Sequence, residues 1–324
     1  MRIYLAFALA LAGAGCEQAT EQVPDRQAAV HLEVSNLPSL SSGHYQLWAN
    51  ILEFNKSGSV HAPLHSEIVS LGEFTVGTDG SPTGLTGNPA TFHVPADRDP
   101  QLIDDLLITV QAEDPLGKLA HEEPGPAILG GKMTGDAHRG IANMRIDYPG
   151  ALHYELSSAT GKCTITSTTS SNPADSNSGV WFFEKSGTTE ASLKNLPGLT
   201  GGWRYEGWVI EPSLPPKFYS TGRFTRADSM DSDGAGPGRG PGVAPNFPGQ
   251  DFLTGTPLRP DLRTYRFLVT IEPEPDNSPD PFFLTLFSSA SSQNHSISHA
   301  EIFAVNLANR FAEAIISARV VVER

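Results

Sequence analysis

The chain has 324 residues, a formal net charge of −14 and a mean hydropathy of −0.22. That length carries more than one domain of ordinary size, and the acidic balance argues against nucleic acid and against a polybasic grip on anionic lipid. Cys16 and Cys163 are the two cysteines. If Cys16 is modified, as its surroundings suggest, no intramolecular disulfide can form, although export would permit one.

Met1-Arg2 supplies one positive charge, and residues 3–14 are almost wholly apolar. Twelve residues fall short of a membrane span but suit the apolar core of a secretory signal. Gly15-Cys16 follows and resembles a bacterial lipobox, with Gly13 at the position where Leu is usual. The expectation is a signal peptide over 1–15, lipidation of Cys16 (palmitate among its acyl chains), and a polar tether over 16–27. Several acyl chains hold a protein on a membrane stably, whereas one alone is marginal. The protein is therefore expected in the bacterial cell envelope, lipid-anchored, on the periplasmic or the surface side. No other apolar stretch approaches the length of a span.

Beyond the tether, short apolar/polar alternations at 30–34, 45–54, 67–76 and 141–146 read as strands. The strongly apolar 106–112 reads as a central strand, and 124–131 resumes after an acidic, Pro-bearing stretch. Tyr148-Pro149-Gly150 closes this first unit. A hairpin-like pair at 152–156 and 162–167 and a strand at 180–183 open the next. Cys163 lies in an alternating run and is expected as a packed strand residue. Residues 228–260, dense in Gly, Pro and Asp, read as a long loop that is either functional or loosely ordered. Only 300–318 hints at a helix, through Phe303, Val305, Leu307 and Phe311.

One stretch occurs twice. Asn36-Leu37-Pro38, Gly43 and Tyr45-x-x-Trp48 return as Asn195-Leu196-Pro197, Gly201-Gly202 and Tyr205-x-x-Trp208. Gly72-Glu73-Phe74-Thr75 answers Gly222-Arg223-Phe224-Thr225, and the Thr-bearing strand at 107–110 answers 268–271, each with an acidic sequel. Residues 141–146 resemble 315–320. Recurrence in one order marks a duplicated module. The expected fold is all-β, two tandem immunoglobulin-like β-sandwich domains over 28–150 and 151–324, with Trp48 and Trp208 filling equivalent buried positions.

The repeated run resembles the extracytoplasmic C-terminal domain of anti-sigma-K-type membrane proteins. That resemblance implies two sandwich domains and a role beside envelope signalling, with an envelope membrane protein as partner. The cytoplasmic sigma-binding domain and transmembrane helix of those regulators have no counterpart here, so only the outer domain carries over.

The chemistry-bearing candidates are few. Trp203 is the candidate ligand contact, since an aromatic platform suits a sugar ring and the first copy has His44 there. Asp228, Asp231 and Asp233 before Gly234 are spaced as oxygen ligands for calcium, with Asp251 a further donor if the loop folds back. They lack the closing Glu of an EF-hand, and a solvated acidic turn is expected. His61-x-x-x-His65 contains Pro63, and His295-x-x-x-His299 lacks the Glu a zinc hydrolase needs. No nucleophile elbow, Ser-x-x-Lys pair or phosphate loop occurs. The expectation is a non-enzymatic binding or scaffolding lipoprotein without cofactor or metal, with a glycan- or calcium-dependent adhesion module as the alternative.

Overall fold

The computed structural model describes residues 28–53, 65–113, 123–186, 188–255, 262–276, 278–290, 303–313 and 315–324. Cys16, the signal, the tether, and the side chains of His61, His65, His295 and His299 lie outside what is described.

The chain is all-β, in two antiparallel, sandwich-like bodies. The first is built from β1 (Ala29–Ser35), β2 (His44–Glu53), β3 (His65–Val76), β4 (Pro82–Thr83), β5 (Phe92–His93), β6 (Ile103–Gln111), β7 (Ala127–Lys132), β8 (Thr134–Gly135) and β9 (Arg139–Arg145). The second holds β10 (Gly161–Ile165), β11 (Gly179–Trp181), the hairpin β12 (Phe183–Ser186) with β13 (Thr188–Ala191), β14 (Trp203–Glu211), β15 (Lys217–Phe224), β16 (Gly249–Asp251), β17 (Arg266–Pro273), β18 (Thr285–Ser289) and β19 (Phe303–Asn309). The last strand, β20 (Ser317–Glu323), returns to the first body.

The strand orders are β4-β3-β2-β6-β7-β9-β20-β1-β5 and β15-β14-β17-β18-β19-β10-β11-β16. In both, a strand that begins with the repeated Tyr/Trp run lies between a strand ending in Gly-x-Phe and the Thr-bearing strand. On β2, Tyr45, Leu47, Ala49 and Ile51 face the main core, and Tyr205 and Val209 do so on β14. Period-2 alternation delivers them there.

The duplication is visible atom by atom. Asn36 and Asn195 are the non-glycine residues with positive φ among those described, both at 57°, in the left-handed region Asn tolerates better than most residues. Tyr45 donates its hydroxyl hydrogen to the Pro38 carbonyl at 2.9 Å, and Tyr205 to that of Pro197 at 3.0 Å. The Trp48 and Trp208 indole N–H groups donate to Thr109 and Thr270 Oγ1, each at 2.9 Å. Both tryptophans are buried, as expected from the repeat, but each projects to the sheet face opposite the Tyr. Cys163 is buried in the core, and burial pushes its thiol well above the usual range.

Four expectations are corrected. Residues 152–156 form no strand; they are irregular and lead into a turn at 157–158. Residues 303–309 are a strand and not a helix: Val305 and Leu307 point inward while Ala304, Asn306 and Ala308 are exposed, the period of a strand. The boundary at 150/151 assigns 317–323 to the second module. The structure instead pairs β20 with β1 over seven residue pairs and with β9 over seven more. Ala318, Val320 and Val322 enter the first core, and without β20 the facing edges of β1 and β9 would be bare. Residues 141–146 and 315–320 are thus antiparallel neighbours, not counterparts.

The counterpart of β20 is β10. Asn36 Nδ2 donates to the Ile315 carbonyl just before β20, and Asn195 Nδ2 to the Ser158 carbonyl just before β10. The second module is therefore inserted into the first, between β9 and β20. A fragment of residues 28–150 is expected to show no cooperative thermal transition, and the same fragment joined by a short Gly/Ser linker to residues 315–324 is expected to regain one. Cooperative melting of 28–150 alone would contradict the pairing.

Candidate functional site

Trp203 is 2 % exposed, sits in the core and packs on Phe282 with ring centroids 6.1 Å apart. It borders a groove between the modules with Tyr154 and Thr200, but a stacking platform needs an open ring face, which it lacks. By strand register its place in the first copy is not that of His44: His44 lies opposite Gln111, and Arg204 opposite Glu272.

The described part of the long loop, residues 228–255, is folded down, and Asp251 is the reason. Its fully buried carboxylate accepts from the backbone N–H groups of Thr168 and Thr169, the Thr169 and Ser167 hydroxyls, and the Trp181 indole at 2.8 Å. These donors satisfy buried carboxyl oxygens that would otherwise be costly to desolvate. Asp251 is thereby committed away from the acidic turn. Asp228 is exposed and paired with Arg226 at 2.8 Å. The calcium cage weighed from sequence does not assemble.

Asp231 and Asp233 are placed differently. Their carboxylates converge over the Cα of Gly222, where an added Cβ would lie 2.4 Å from Asp233 Oδ1 and 2.9 Å from Asp231 Oδ2. Asp231 also accepts from the Gly249 N–H at 2.7 Å. Burial, and for Asp231 the neighbouring Asp233, raise both carboxyls above the ordinary range. At the equivalent glycine of the first module, Gly72, the space is taken by the Thr91 carbonyl and the Phe92 ring. An apolar lid in one module is replaced by a carboxyl pair in the other.

This pair walls an open cleft of about 710 Å3 on the outer face of β14 and β15, lined also by Arg204, Glu206, Trp208, Arg223 and Glu274. Four carboxyl groups thus face two guanidinium groups. Beneath it, oxygens of Glu206, Glu272 and Asp276 lie within 4.8 Å of one another, a spacing that a divalent cation bridges. The donor set argues otherwise, because every oxygen already has a partner. Glu206 accepts from the Ser220 hydroxyl and from Arg223 Nε at 3.0 Å; Asp276 accepts from the Ser278 N–H and from Arg223 at 3.3 Å. Glu272 accepts from the Thr270 hydroxyl and the Phe282 N–H. Arg223 is the resident cation.

The first module has a counterpart of this network in which glutamines stand in place of two of the glutamates. Gln46 donates to the Ser70 hydroxyl at 2.8 Å, and Gln111 donates to Gln46 at 3.0 Å and to Thr109 at 3.2 Å. Gln46 corresponds to Glu206, Gln111 to Glu272 and Glu73 to Arg223 by register. Sequence reasoning missed this cluster, although the signal was there: aligning the repeats puts Gln over Glu twice, each time next to the Tyr/Trp or Thr framework.

Comparison with known protein families, curated proteins and solved structures returned no match.

Burial pushes the Glu272 carboxyl up to about 8 and raises Glu206 and Asp276 as well. A raised folded-state value means that the folded protein holds protons the unfolded chain has released. Stability then falls as pH rises from about 4.5 toward 8. Glu272→Gln restores the amide chemistry of Gln111 and removes that loss. Its melting temperature is expected to match the parent near pH 4.5 and to exceed it by about 3 °C or more at pH 8. A parallel shift at both pH values would show that Glu272 is not the titrating group.

Proposed function

We propose that the chain is a non-enzymatic binding protein of the bacterial cell envelope, held through lipid on Cys16, whose second module presents its acidic cleft to a cationic group on a partner protein. The observation that carries this reading is the exchange at one backbone position: Phe92 covers Gly72, while Asp231 and Asp233 stand over Gly222 and leave an open, carboxyl-lined cleft. The two modules share a framework down to individual hydrogen bonds, so the difference is local and chemical. Burial holds protons on Asp231 and Asp233; a cationic group brought beside them favours the charged form, and a basic side chain supplies it.

The resemblance of the repeated run to anti-sigma-K-type outer domains supports the finer reading. In it the protein is an accessory to envelope signalling, and the partner is the outer domain of a membrane-bound anti-sigma factor. An adhesion module that relies on Trp203 to stack sugars is not favoured, since that ring is buried.

An oligo-arginine peptide titrated against the protein by calorimetry is expected to bind with an affinity that falls as salt rises. Asp231→Asn combined with Asp233→Asn is expected to weaken binding roughly tenfold without lowering the melting temperature. Unchanged affinity in that variant would overturn the assignment of the cleft. A rise in melting temperature with millimolar calcium, abolished by the same variant, would favour the calcium-dependent alternative.

A further inference from the structure

The insertion of one module into the other fixes how the molecule carries load. β1 and β20 are antiparallel, with Ala29 opposite Glu323 and Ser35 opposite Ser317. β20 and β9 are antiparallel too, with Ser317 opposite Arg145 and Glu323 opposite Arg139. The chain enters the ladder from its N-terminal side at Ala29. Both connections to the second module, after Arg145 and before Ser317, leave from the other end. A pull between the N-terminus and the second module therefore drives β1 one way and β20 with β9 the opposite way, along the strand axes.

We propose that β1, β20 and β9 form a mechanical clamp. Under a load between the N-terminal attachment and the ligand-bearing module, β1 slides along β20 only if the seven pairs of that ladder fail together. The cross-strand ion pair of Glu33 with Arg319, 3.7 Å apart, lies within the same ladder. Backbone hydrogen bonds perpendicular to the strands share such a shearing load. Pulled from one end they open singly. The clamp suits an anchored protein that holds a partner, and in that use it rests on the proposed function; its mechanics do not.

Arg324 provides the control, because it adjoins the same end of the ladder as Ala29. The test is single-molecule force spectroscopy on the chain from Cys16 onward, unlipidated, with the Cys16 thiol as one handle. The second handle is Ser157→Cys in the connection after β9, or Arg324→Cys. Cys163 is buried and does not compete. At equal loading rate, where forced opening follows the unfolding barrier, the Ser157 geometry is expected to rupture at a force several-fold above the Arg324 geometry. Equal forces, or a higher force from the C-terminal handle, would overturn the clamp. Neither result depends on cation binding, so loss of peptide binding with the force ratio intact would discount the cleft alone.

Discussion

β20 occupies the gap between β1 and β9, and the rest of the first module depends on that pairing. A sheet with bare edges at β1 and β9 would leave two rows of backbone donors and acceptors unpaired, and buried polar groups of that kind are costly. It would also lose Ala318, Val320 and Val322 from the core. The last seven strand residues of the chain thus complete a module that begins nearly three hundred residues earlier. Everything between β9 and β20 is carried as an insertion, with both of its connections at one end of one ladder.

Within that plan the two modules are variations on one framework. The Asn-Leu-Pro turn, the Tyr hydroxyl returned to a Pro carbonyl and the indole bonded to a strand Thr are the same in both. Each satisfies a polar tip on an aromatic body that is otherwise buried. Two differences stand out. On the outer face, glutamines that pair as neutral amides become glutamates gathered around Arg223 and hydroxyl donors, and at the matching glycine of β3 and β15 a core Phe is exchanged for a pair of aspartates. The framework accounts for stability in both modules. Among the described residues, the acidic cleft belongs to the second alone.

The strands were legible because alternation and Pro/Gly turns are local signals, and the repeat was legible because Asn, Pro, Tyr and Trp are each required by one turn and one corner. The pairing of the final strand was not, since nothing within Ser317–Glu323 names the sheet it joins. Its likeness to 141–146 has a physical cause other than descent: adjacent strands of one sheet face the same core and the same solvent. The helix over 300–318 failed because Phe303, Leu307 and Phe311 fit a spacing of four as well as of two, and Val305 decides between them. The cleft was hidden for a different reason. Glu206, Glu272 and Asp233 come from separate strands and a loop, and only β14–β15 and β14–β17 pairing brings them together. The acidic turn at 228–234 was noticed, but which of its carboxylates turn inward is set by the bare Cα of Gly222, a tertiary feature.

Amide hydrogen exchange across the first module tests the nested topology most directly, because protection reports which segments open together. The amides of Val320, Val321 and Val322 are predicted to exchange only with global unfolding, at the same free energy as those in β1 and β9. Rapid exchange of β20 as a frayed terminal strand, with β1 and β9 still protected, would contradict the account.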